Sequence, residues 1–178
     1  VIVVSQVKTY NLIDIITLGV IAAVFAVVFT VMWTPYYAIK AVGGPIIARL
    51  LTYGAWFMAA PLAASLIRKP LSALLGEFLP ALLESVLPTP GGLTNAIYGL
   101  AQGFFSELAY VAGRYRRFGL IEAAVSGALA AIPAVTLDAV LFGEIYPWGY
   151  MALILVIVAI SGAVYGVLAY WVARALRA

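Results

Sequence analysis

Hydrophobic and polar positions along this chain alternate in long blocks. Apolar runs of about twenty residues recur six times, each closed by basic residues, a proline–glycine turn or an aromatic cluster. A helix needs roughly 20 mostly apolar residues to cross the hydrocarbon core of a bilayer. The pattern therefore predicts an all-α polytopic membrane protein, a bundle of six transmembrane helices over about 13–33, 46–66, 70–87, 93–113, 119–142 and 150–168. Pro35 is expected to end the first helix, because proline lacks the amide donor that a helix interior uses. Pro61, Pro80 and Pro133 fall inside later runs, and Pro133 is expected to kink the fifth. Residues 1–178 read as one integral membrane domain.

Composition strengthens this reading. The chain is 66% hydrophobic and 10% charged, with a mean hydropathy of +1.12, whereas soluble domains are about half apolar and a quarter charged. The charges also orient it. With the N-terminus inside, the inner segments hold Lys8, Arg68, Lys69, Arg114, Arg116, Arg117, Arg174 and Arg177, and the outer ones only Lys40 and Arg49. Positive charge stays on the cytoplasmic side, so both termini are expected there, in a multi-pass protein of the cell (plasma) membrane. The net charge of +3 is spent on helix ends, and no nucleic-acid partner is expected.

Absent residues and motifs narrow the chemistry. Without cysteine or histidine there is no disulfide framework, and imidazole or thiolate metal sites are excluded. No phosphate-binding GxxxxGK[ST] string, HExxH or GxSxG occurs, so the chain does not use ATP itself and catalysis is not expected. No metal or cofactor is assigned. The opening residues lack a basic n-region and a small-residue cleavage site, so no signal peptide is expected.

Polar residues inside the apolar runs are the candidates for function. Glu77 and Glu84 lie seven apart, two turns along one helix face. A carboxylate facing lipid costs roughly 2.5–3.5 kcal/mol, so both should face protein or a water-filled cavity. They either line a ligand site or serve structure, through a hydrogen bond to Gln102 or as neutral carboxyl groups. Asn95, Tyr98 and Gln102 recur at i, i+3 and i+7, again one face, and form either a polar wall for a ligand or glue between helices. With the termini inside, Trp33, Tyr36, Tyr37, Glu84, Asn95, Tyr98, Asp138, Glu144, Tyr146, Trp148 and Tyr150 gather in the outer half, and Glu77 and Gln102 lie about 10 Å deeper at ~1.5 Å per residue. Trp33 and Tyr36 are candidates for stacking or cation–π contact. Tyr37, Tyr146 and Trp148 read as an interfacial belt. Glu107, near the inner end, is expected to pair with an arginine. Ala22 and Ala26, Gly19 and Ala23, and Gly162 and Gly166 form small-xxx-small pairs that permit close helix approach.

The central hairpin, Arg68 to Arg117, resembles the substrate-binding S components of energy-coupling factor (ECF) vitamin transporters. Within them it is most similar to the YkoE-type subunits linked to thiamine and its hydroxymethylpyrimidine precursor. The resemblance rests on Arg68-Lys69-Pro70, Glu77 and Glu84, the proline–glycine turn before Leu93, Tyr98-Gly99-Leu100-x-Gln102-Gly103, Glu107 and Tyr115-Arg116-Arg117. It implies capture of a vitamin from outside, bound by Glu84, Trp33, Tyr36, Glu77, Asn95, Tyr98 and Gln102. It also implies work with an ECF transmembrane coupling subunit and two ABC ATPase subunits, and docking of the coupling subunit on a helix-one face, for which Ala22 and Ala26 are the candidate pair.

Two other classes stay open on the residues alone. One is a stand-alone channel or proton-coupled carrier using Glu77, Gln102 and Glu107 as a relay. The other is a purely structural membrane subunit, which accounts for the packing faces and leaves Glu84 without a role.

Overall fold

The computed structural model describes residues 9–177; Lys8, counted above among the inner basic residues, lies outside them. The described residues form seven helices and no strand: α1 (Leu12–Trp56), α2 (Ala59–Ile67), α3 (Ser72–Glu84), α4 (Thr94–Ala112), α5 (Leu120–Leu129), α6 (Ala131–Phe142) and α7 (Trp148–Leu176). Asn11 and Asp14 start α1 by exchanging side-chain-to-amide bonds of 2.9 and 2.7 Å, the reciprocal pattern of a capping box.

Helix α1 corrects the expectation for Pro35. The helix runs through that proline and breaks first at Gly44 (φ 79°, ψ 173°), a conformation that only glycine adopts without strain. A proline in a helix removes one hydrogen bond, and where no water can replace lost backbone bonds the remaining ladder is worth keeping. Pro45 then opens the second limb at a first-turn position that needs no amide. The two limbs double back on each other. Along a straight helix Trp33 and Trp56 would sit about 34 Å apart, yet their ring centroids are 5.4 Å apart.

Two further breaks sit where proline removes a bond four residues back. Pro61 frees the Phe57 carbonyl between α1 and α2, and Pro133 frees that of Leu129 between α5 and α6. Stretches Leu12–Ile67, Leu120–Phe142 and Trp148–Leu176 are long and apolar enough to cross a membrane. Helix α3, at 13 residues, spans only about 20 Å at 1.5 Å per residue.

Small residues set how closely the helices pack. A Cβ on Gly99 would come within 2.2 Å of the Ala81 side chain, and one on Gly103 within 2.7 Å of the Leu74 carbonyl, so α3 and α4 touch backbone to backbone. The Gly162–Gly166 pair is used the same way, against Gly127 and Ala123 of α5. Ala22 and Ala26 differ from expectation as a docking face. Each is 5% exposed, turned inward on the side of α1 that carries Leu18, Ile21 and Phe25 into the main core. The open side of α1 carries Gly19, Val20, Ala23 and Val24 instead.

Glu107 also departs from its expected arginine partner. Its carboxylate accepts the backbone N–H groups of Leu71, Ala73 and Leu74 at 2.6–3.0 Å. These are donors that the first turn of α3 leaves without intrahelical acceptors, and a negative charge is favoured at that end of a helix. Nearby, Lys69 pairs with Asp14 and the Tyr10 hydroxyl donates to the Pro70 carbonyl at 2.8 Å, tying the start of α1 to the α2–α3 turn. Burial and the Glu107 carboxylate push the Tyr115 hydroxyl up to about 12.

Candidate functional site

At the opposite end of α3 and α4 the helices part around a cavity of about 160 Å³, many times the ~10–15 Å³ that one water needs. Its walls come from four helices. The first limb of α1 supplies Trp33, Tyr36 and Tyr37, and the second supplies Tyr53 and Trp56. Helix α3 ends on Glu84, α4 begins with Asn95, Tyr98 and Gln102, and α6 places Asp138 across the opening.

The aromatic wall follows from the fold-back of α1. Trp33 lies edge-on to Trp56 at 5.4 Å and stacks with Tyr37 at 5.9 Å; Tyr36 packs against Tyr53 at 5.7 Å. Residues 33, 36 and 37 share one helical face, and 49, 53 and 56 another, so a single kink brings both sets together. Tyr37, expected in an interfacial belt, lines the cavity. Trp148, 91% exposed, stays outside it.

Charges at the site divide into a matched and an unmatched set. Asp138 accepts the hydroxyls of Tyr98 and Tyr53 at 2.7 and 2.8 Å and lies 3.5 Å from the Arg49 guanidinium. Arg49, 1% exposed, also pairs with Glu144, which in turn lies 3.5 Å from Lys40. Two carboxylates thus face two cations, which is how buried ions are held. Glu84 has no such partner. It is 2% exposed, its Oε1 accepts the Trp33 indole N–H at 2.8 Å, and among the described residues no lysine or arginine forms an ion pair with it.

Six of the seven residues singled out from the sequence line this cavity: Trp33, Tyr36, Glu84, Asn95, Tyr98 and Gln102. Asn95 is held by a 2.9 Å bond from its amide nitrogen to the Thr89 hydroxyl. Glu77 is not among the lining residues. It is wholly buried, accepts the Ala60 N–H at 2.9 Å with Oε2, and has no partner for Oε1. No hydrogen bond links it to Gln102 or Glu107 among the described residues, so these three do not form a connected relay.

The sequence reading placed Asp138 in the outer half without assigning it to the site, and passed over Arg49, Tyr53 and Trp56 as site residues. A signal for them exists. Arg49 and Asp138 are each a lone charge in an apolar run, and lone charges of opposite sign at one depth satisfy each other. Tyr53 and Trp56 follow Arg49 at helical spacing.

Comparison with known proteins converges on one class. A family model described as "ABC-type cobalt transport system, permease component" matches residues 13–133. A Bacillus subtilis (strain 168) protein named as an HMP/thiamine permease, YkoE, is 32% identical over 157 residues, covering 88% of this chain and 78% of that one. A crystal structure of an S-component of an ECF transporter superposes with a TM-score of 0.88 at 32% identity, over 94% of this chain and 86% of the other. These relatives are transporter subunits, not enzymes.

Proposed function

The chain belongs to the S-component family of ECF transporters, membrane proteins that bind the transported substrate, and on that premise we propose that it captures thiamine or a hydroxymethylpyrimidine precursor from outside the cell. The observation that carries this reading is Glu84: a buried carboxylate that pairs with no lysine or arginine among the described residues, opening on a cavity walled by tryptophan and tyrosine. A carboxylate accepts strong hydrogen bonds from an aminopyrimidine and balances a thiazolium cation, while flat aromatic faces suit both rings and a cation. Asn95 and Gln102 add amide groups that donate and accept. The cobalt in the matched family's description fits this chain poorly, because it has no histidine or cysteine to supply nitrogen or sulfur ligands.

In this reading the protein crosses the plasma membrane six times, with the short α3 and α4 completing the bundle and both termini in the cytoplasm. The cavity end then faces outward and the arginine-rich ends face in, in keeping with the eight-to-two division of lysine and arginine. Release inward requires an ECF transmembrane coupling subunit and two ABC ATPase subunits, since the chain carries no nucleotide-binding loop.

Tryptophan fluorescence tests the assignment directly. Trp33 and Trp56 line the cavity, whereas Trp148 and Trp171 are exposed elsewhere. Titrating the purified protein with thiamine and with hydroxymethylpyrimidine should give a saturable change for at least one. No response to either, in protein shown to be folded, rejects the vitamin assignment. Proteoliposomes holding this chain alone should show no uptake until coupling subunit, ATPases and ATP are supplied.

A further inference from the structure

A second cavity lies at the arginine-rich end, between the last turns of α4 and the first half of α5. It is a groove of about 570 Å³. Leu108, Ile121 and Val125, each more than a third exposed, form apolar walls, and Arg114, Arg116 and Arg117 stand at its mouth.

The local fold explains why all three arginines point out. Helix α4 stops at Gly113, and Arg114 and Tyr115 take left-handed backbone conformations (φ 49° and 54°) that turn the chain sharply. Phe118 folds inward and stacks on the buried Tyr110 at 5.2 Å, and Tyr115 packs against the same small core. The arginines between and beside these anchors are left exposed, and none forms an ion pair with a described residue. One carboxylate, Glu122, also borders the groove, but its Oε2 is engaged by the Gly119 N–H at 3.0 Å as a helix cap.

We propose that this groove is a specific site for an anionic phospholipid, with its phosphate held by Arg114, Arg116 and Arg117 and its acyl chain laid along Leu108, Ile121 and Val125. The guanidinium group binds phosphate through paired, charge-assisted hydrogen bonds, and basic pockets between membrane helices are suited to acidic headgroups. Keeping positive charge on one side of a membrane needs only the charges; it does not need a walled apolar groove beneath them. The site is separate from the outer cavity, so the proposal stands whether or not the vitamin assignment does.

Native mass spectrometry of the delipidated full chain tests it, using phosphatidylglycerol and phosphatidylcholine with identical acyl chains. One phosphatidylglycerol should be retained at least about tenfold more than phosphatidylcholine, and that preference should vanish in the R114Q/R116Q/R117Q variant, checked for an unchanged melting temperature. If that variant does not fold, R116Q alone should lower the preference at least about twofold, as the loss of one cation near an anionic headgroup requires. Equal retention of the two lipids, or an unaltered preference in a folded variant, overturns the proposal. Displacement of phosphatidylglycerol by millimolar inorganic phosphate also overturns it, in favour of a soluble phosphate ligand. So does a triple variant that keeps its lipid but no longer assembles with the coupling subunit, which would mark the groove as a protein-docking surface.

Discussion

Glu107 and Glu84 sit at opposite ends of the same helix pair, both almost wholly buried, and their surroundings give them different work. Glu107 meets three backbone amides of α3, so its charge is spent on holding the fold. Glu84 meets one indole N–H and otherwise faces open volume. A carboxylate in apolar surroundings becomes structural when the protein supplies its donors. It becomes available for recognition when the protein withholds them. The difference lies in neighbours supplied by distant parts of the chain.

Substitutions at these two ends separate the roles. The largest effect is expected from Glu107→Ala, which leaves three helix-end amides, one buried and two part-buried, without their acceptor, at about 1–3 kcal/mol for each that water cannot reach. Thermal unfolding in detergent should show a loss on the order of 3 kcal/mol or more, and a stability within ~0.5 kcal/mol of the parent would remove Glu107 from its capping role. Gly44→Ala comes next, at roughly 1–3 kcal/mol for a side chain forced into a glycine-only conformation, again read by melting. Glu84→Gln should leave the melting temperature nearly unchanged while weakening vitamin binding at least tenfold, or ~1.4 kcal/mol. An unchanged affinity takes Glu84 out of the site. Trp33→Phe keeps a ring and deletes one N–H donor, so affinity should change by less than Glu84→Gln does, about threefold, or ~0.6 kcal/mol. A loss larger than that of Glu84→Gln would mean that the indole, not the carboxylate, is the principal contact.

Much of this molecule is legible in its sequence. Block-like hydropathy points to the helices, and rarity of charge in those blocks points to Glu84, Asn95, Tyr98 and Gln102, because an unpaired polar group in such a setting is costly and therefore placed for a reason. What escapes the sequence is pairing across long separations. The Arg49–Asp138 contact joins residues 89 apart and the Tyr53–Asp138 bond residues 85 apart, and neither position announces its partner locally. Pro35 misleads for a different reason. Its cost to a helix is one hydrogen bond, whereas the φ of 79° at Gly44 reverses the chain, and a glycine gives no local sign of which conformation it will adopt. Glu107 misleads because arginines are near in sequence and the amides of α3 are nearer in space.

The fold-back of α1 also sets an order of assembly. Both limbs, and so the whole aromatic wall from Trp33 to Trp56, are contributed by α1 alone. Glu84 and Tyr98 follow on the next helix pair, and Asp138 arrives some eighty residues after Trp56. As the protein leaves the ribosome, its stacking surface forms from near neighbours while its carboxylates are still to come. A nascent or truncated chain would therefore carry the shape of the site without the means to hold a ligand, and becomes competent only when α6 closes over α1.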